Sequence, residues 1–204
     1  MAKLYFKFGA MGSSKTAQAL MTKFNYEGKD KSVLFIKPAT DNRDDIIDKN
    51  GIESTEVRSR IGLSAKALAV SALDCLVSLY IKEREKNRVD VIICDECQFL
   101  TEKQVDELKD IADLYDVPVL CFGLRADFRT KLFPGSKRLF EIADSISEIK
   151  SICRCGRKAT VNARLDADGK IEILGEQVCI GGNERYVGMC YRCYREQIRK
   201  QELS

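Results

Sequence analysis

The chain has 204 residues, of which 45% are hydrophobic and 32% charged, with a net charge of +3. These totals describe one ordinary globular domain, or one with a small appendage, and the charge is too small to argue for nucleic acid or a membrane as a partner. Nine cysteines and no histidine mean that any general base is a carboxylate, lysine, tyrosine or cysteine, and that no imidazole exists to activate a thiol nucleophile. The start, MAKLYFKF, lacks a signal-type apolar stretch, and no apolar run approaches the roughly 18 residues of a membrane span. A cytoplasmic protein is expected.

Residues 3–8 alternate and are β-prone, giving a strand that runs straight into GAMGSSKT at 9–16. Residues 16–24 carry Ala, Leu and Met at helical spacing, and 32–38 (SVLFIKP) form a second short strand. Residues 39–62 are polar and without periodicity, which predicts a mobile loop over a site. Residues 64–86, rich in Ala and Leu, read as helix. VDVIICD at 89–95 is a compact strand ending in acid, 102–115 an amphipathic helix, and 117–124 another buried strand. This alternation predicts an α/β fold, a parallel sheet flanked by helices on both faces, with ligands at the carboxyl ends of the strands. From about residue 149 the texture changes to cysteines, turns and short β-like pieces, closed by a charged helix at 194–202. The expected division is 1–149 as a nucleotide-binding domain and 150–204 as a small C-terminal domain.

A strand, GAMGSSKT and a helix make the context of a phosphate loop. Gly9, Ala10, Met11, Gly12, Ser13 and Ser14 would wrap an anion with backbone N–H groups, Lys15 would reach the β/γ-phosphates, and the Thr16 hydroxyl would hold Mg²⁺. Ser14 stands where the usual spelling has glycine, a replacement that serine tolerates if φ is negative there. Asp95-Glu96-Cys97-Gln98 supplies the acid expected at the end of a second strand, Asp95 for Mg²⁺ and Glu96 as general base. The same four residues resemble the DExx box of mechanical ATPases, but a helicase motor needs two such domains and this chain has room for one. Cys153, Cys155, Cys190 and Cys193 are four soft ligands suited to structural Zn²⁺, with Gly156 allowing the tight CxC turn. The remaining cysteines, at 75, 94, 97, 121 and 179, read as small core hydrophobes.

GAMGSSKT, KPATDNRDD, SRIG, DECQF, GLRADFRTKLFPGSKRL, CRCGRKATVNAR and GEQVCIGGNERY together resemble the thymidine kinases of the cellular, zinc-containing type, over residues 2–196. That resemblance implies transfer of the ATP γ-phosphate to the 5′-hydroxyl of thymidine, with residues 9–16 and 95–98 binding ATP and its metal, and Glu96 accepting the proton. It implies a nucleoside pocket between the domains, lined by Leu124, Phe128, Phe133, Asn162 and Tyr186, with Phe99 as a neighbour. Backbone groups at Cys179 and Ile180 would bond the base, and Arg60 in a lid would meet phosphates. The same resemblance implies zinc on the four cysteines and a homotetramer. Two other readings stay open: a P-loop ATPase whose basic zinc domain grips nucleic acid, and a non-catalytic zinc module.

Overall fold

The computed structural model describes residues 1–39, 45–47, 53–177 and 185–203. In chain order its elements are β1 (Leu4–Phe8), α1 (Lys15–Glu27), β2 (Val33–Pro38), β3 (Asp45–Ile47), β4 (Glu53–Arg58), β5 (Ser64–Val70) and α2 (Leu76–Lys86). There follow β6 (Val91–Cys94), α3 (Glu102–Tyr115), β7 (Val119–Gly123), α4 (Pro134–Ile142), β8 (Ser145–Glu148), β9 (Val161–Arg164), β10 (Tyr186–Met189) and α5 (Tyr191–Glu202). Eight strands form one sheet in the order β3-β4-β5-β2-β6-β7-β1-β8. From β5 to β8 the neighbours are parallel, while β3 and β4 add an antiparallel edge.

The strand sequences dictate the layering. Buried parallel strands read as continuous apolar runs because both faces are covered, and their side chains alternate between the two faces. Leu4 and Phe6 of β1, Ile92 and Cys94 of β6, and Val119 and Cys121 of β7 meet Leu76, Tyr80, Val105, Leu108, Ile111 and Leu139 from α2, α3 and α4. Val91, Ile93, Leu120 and Phe122 point the other way, to Ala19 and Leu20 of α1. Helices therefore flank both faces, as the alternation predicts. Helix α3 keeps its predicted bounds; Thr101 and Gln104 close a reciprocal capping box at its start.

The sequence reading fails where composition conflicts with pairing. Residues 64–70 are a strand, not the first turns of a helix. Leu68 in β5 is paired with both Ile36 of β2 and Ser54 of β4, and a doubly paired ladder outweighs helix propensities of a few tenths of a kcal/mol per residue. The helix begins only after a turn in which Gln104 Nε2 donates to the Ser71 and Asp74 carbonyls. Parts of 39–62, read as irregular loop, are the paired strands β3 and β4. Helix α4 and strand β8 carry too short a pattern to have been read at all. Cys75 is exposed at the start of α2 rather than in the core, whereas Cys94, Cys97 and Cys121 are fully buried. Cys179 lies outside the described residues.

Beyond β8, β9 and β10 form a separate antiparallel ribbon. Val161 and Ala163 of β9 pack with Ile171, Tyr194 and Ile198, which gives the ribbon and α5 an apolar cluster of their own.

Candidate active site

The phosphate loop leaves the carboxyl end of β1 and is tied to β7 at once, Gly9 N–H donating to the Gly123 carbonyl at 3.2 Å. Ser14 sits at φ 61°, ψ 29°. The expected negative φ is therefore wrong: this is the left-handed conformation that favours glycine, at a cost of roughly 1–2 kcal/mol for another residue. Serine occupies it directly before the first residue of α1. Lys15 is buried, and its Nζ donates to the Ala10 carbonyl at 3.0 Å, across the loop. Burial lowers its pKa, against the opposing charges of Glu96 and Asp95.

Those two carboxylates come from the end of β6, two strands away in the sheet order. Asp95 is 2% exposed. Burial and then the neighbouring Glu96 charge raise its pKa to about 7, with a Thr16 hydrogen bond pulling the other way. Among the described residues, Asp95 Oδ1 and Ser13 Oγ are the buried side-chain oxygens without a hydrogen-bond partner. Orphaned buried oxygens mark a place where a ligand or ion completes the bonding. With the Thr16 hydroxyl, Asp95 offers a hard oxygen donor set of the kind Mg²⁺ takes.

Glu96 is only partly buried and has φ 54°. Gln98 orients it: Nε2 donates to Glu96 Oε2 at 2.6 Å, while Gln98 Oε1 accepts the Leu124 N–H at 2.9 Å. Gly123 makes this possible, since a Cβ there would meet Cys97 Sγ and Gln98 Oε1 at 2.6 Å. Gln98 thus spends both ends of its amide on Glu96 and on the end of β7, and Cys97 is a core thiol beneath them. Sequence reasoning grouped both with the nucleotide ligands; what it missed is this orienting bond.

The aromatic residues gather beyond β7. Phe99 and Phe133 meet edge to face at 5.7 Å, and Leu124, Phe128 and Phe133 are buried. The Phe128 carbonyl accepts from the Tyr194 hydroxyl of α5 at 3.1 Å. Asn162 of β9 is buried, its Oδ1 accepting the Met11 N–H at 2.8 Å and its Nδ2 donating to the Ala126 carbonyl at 2.7 Å. It bridges the phosphate loop to the segment after β7. Tyr186 is half-buried on the paired strand β10. Arg60 is exposed, and its charge helps to lower the Lys15 pKa. Cys179 and Ile180, expected to bond the base, lie outside the described residues.

The Sγ atoms of Cys153, Cys155, Cys190 and Cys193 lie within 4.8 Å of one another, with Cys155 and Cys190 at 3.6 Å. A tetrahedron of thiolates at a Zn–S length of about 2.3 Å has edges of about 3.8 Å. The cluster fits zinc. Gly156 at φ 82° closes the CxC turn, donating its N–H to the Cys153 carbonyl at 2.8 Å.

The family profile described as thymidine kinase matches residues 2–194. The chain belongs to the thymidine kinase family. It is 44% identical to a thymidine kinase of Yersinia pseudotuberculosis over 199 residues, 98% of this chain and 97% of that protein. It is 40% identical to the thymidine kinase of Escherichia coli K12 over 204 residues, 100% of this chain and 96% of that one. A solved Pif1 helicase from Candida albicans aligns over 75% of this chain and 37% of its own, at 15% identity and a TM-score of 0.41, too slight a likeness to carry an argument. Within a thymidine kinase, the division between a phosphate-facing end of the sheet and an aromatic patch under the cysteine-bearing ribbon acquires a chemical meaning.

Proposed function

We propose that the protein transfers the γ-phosphate of ATP to the 5′-hydroxyl of thymidine, forming dTMP for nucleotide salvage and DNA synthesis in the cytoplasm. The observation that carries the proposal is the family match over residues 2–194 on a chain whose phosphate loop and Asp95-Glu96 pair sit at the carboxyl ends of β1 and β6, with β7 between them. The loop N–H groups and Lys15 hold the phosphates of ATP. Mg²⁺, held by Thr16 and Asp95, would neutralise charge on the phosphate oxygens when bound. Glu96, oriented by Gln98, takes the proton from the 5′-hydroxyl as the new P–O bond forms.

The base lies against Phe128, Phe133, Leu124 and Tyr186, with Phe99 and Asn162 in the surrounding wall and Cys179 and Ile180 bonding its edge through their backbones. Residues 150–204 act as a unit that encloses the nucleoside, with structural zinc pinning its two ends together, and Arg60 meets the phosphates from the lid. Phosphoryl transfer asks mainly for position and charge neutralisation, which these groups supply. The working form is a homotetramer. A zinc-bearing ATPase acting on nucleic acid is disfavoured, because the chain's relatives are thymidine kinases over nearly its whole length. No helix among the described residues is long and apolar enough to cross a membrane. The test is a nucleoside panel with ATP and Mg²⁺, set beside DNA and RNA. ATP consumption stimulated by a polymer and not by thymidine overturns the reading.

A further inference from the structure

Strand β9 presents two kinds of side chain. Val161 and Ala163 enter the apolar cluster under α5, so Asn162 and Arg164 stand on the opposite face. Arg164 is 4% exposed, a depth at which arginine is found only with its charge and donors engaged. Its Nε pairs with the Glu172 carboxylate. Nη1 donates to the Glu176 carbonyl at 2.9 Å and Nη2 to the Leu174 carbonyl at 3.3 Å. Its Cζ lies 3.6 Å from the centroid of the Phe128 ring. Burial works against the charge, and Tyr186, directly opposite on β10, together with Glu172 more than offsets it.

The surroundings are built to receive this side chain. Gly175 has φ 123°, and a Cβ there would meet Arg164 Nη2 at 2.5 Å. Glu172 also accepts from Arg185, whose Nε donates to the Leu165 carbonyl at 3.0 Å. Were Arg164 there only to stabilise the ribbon, the Glu172 pair would suffice, and a buried ion pair is weak evidence for stability in any case. The stacking on the Phe128 ring goes further, and Tyr186 lies directly opposite on β10, so one guanidinium touches or adjoins both side chains proposed to line the nucleoside pocket.

We propose that Arg164 is a positioning residue for nucleoside recognition, setting the plane of Phe128 and the hydroxyl of Tyr186 so that the base meets a wall already in place. This rests on the reading above that the base lies against Phe128 and Tyr186. Lysine keeps the charge but lacks the flat fork, so it cannot stack on the ring while reaching the same acceptors.

The experiment is steady-state kinetics on the full chain with thymidine and ATP varied separately, together with thermal melting. The proteins are wild type, Arg164→Lys, Phe128→Leu, their double variant and Tyr186→Phe. The expected result is a rise in thymidine KM on the order of tenfold for Arg164→Lys, the scale of a lost cation–π contact. Its kcat and ATP KM should stay within about twofold of wild type, because uniform nucleoside binding is what has been lost. The double variant should be little worse than Phe128→Leu alone. Tyr186→Phe, which removes only a hydroxyl, should show a smaller rise in thymidine KM with an unchanged melting temperature, and it decides the matter if Arg164→Lys does not fold. If Phe128→Leu raises thymidine KM while Arg164→Lys and Tyr186→Phe do not, the inference falls and the pocket stands. If Arg164→Lys raises both KM values equally and lowers the melting temperature, Arg164 is structural only. If Phe128→Leu leaves thymidine KM unchanged, the pocket reading falls and takes the inference with it.

Discussion

The two ends of this site treat buried polar groups in opposite ways. Where β1 and β6 end, Asp95 Oδ1 and Ser13 Oγ are buried without a partner and Lys15 bonds only a loop carbonyl. On β9, Asn162 and Arg164 are as deeply buried, yet their amide and guanidinium groups bond Met11, Ala126, Glu172, Leu174 and Glu176. Since a buried polar group costs about 1–3 kcal/mol when unpaired, the first arrangement is a site that a ligand completes. The second is a scaffold that is finished before any ligand arrives. One end waits for charge; the other offers shape.

The sharpest way to break that contrast is Lys15→Ala. It removes the loop cation proposed to hold the phosphates, and turnover should fall 10³-fold or more with the melting temperature nearly unchanged. A folded Lys15→Ala protein turning over at the wild-type rate would dissolve the distinction between the two ends. Glu96→Gln comes next, keeping size and the Gln98 bond but losing basicity. Its kcat should drop by about 10²–10³ while thymidine and ATP still bind, read by calorimetry beside turnover at saturating ATP. Unchanged turnover would put the base elsewhere.

The scaffold end is probed through the zinc proposed for its four cysteines. Elemental analysis should find one zinc per chain, and Cys190→Ala should release it and lower the melting temperature of the C-terminal ribbon, with loss of activity following from that. Full stability and activity without metal would mean four reduced thiols that happen to be neighbours.

The same contrast explains what the sequence made legible. Glycines, a lysine and acids at strand ends sit in short motifs because phosphate binding uses backbone geometry and local charge, so residues 9–16 and 95–98 stand out in the sequence as candidates. The strands with continuous apolar runs were readable for the same reason. Ser14 is a partial failure: the strand, loop and helix lie where the motif predicts them, but the backbone assumption is wrong, since its φ of 61° is imposed by the loop and not by the residue. The strand at 64–70 was misread because pairing with β2 and β4 is invisible to local propensity. Arg164 looked like any charged residue in a basic segment. Only the meeting of β9 with Phe128 gives it a task, and no spacing in the sequence announces a contact between residues 128 and 164.

Asp95→Asn yields the smallest effect and the one that depends most on sign. The folded pKa of Asp95 is raised to about 7 from an ordinary 3.8, first by burial and then by the Glu96 charge. Between those values the ligand-free folded protein holds a proton that the unfolded chain has released. The stabilising contribution is therefore fully present below about 3.8 and is lost as pH rises through about 7. Asparagine cannot ionise, so its variant should not share that loss. Without nucleotide, the melting temperature of wild type should fall against that of Asp95→Asn as pH goes from 5 to 8, by roughly a few degrees. Saturating ATP and Mg²⁺ should reverse the order at pH 8: wild type gains binding energy in proportion to the logarithm of ligand over Kd, and the variant, short of a cation ligand, gains far less. Parallel melting curves across pH in the ligand-free proteins would mean that Asp95 is already ionised and satisfied. The phosphate end would then be as finished as the ribbon.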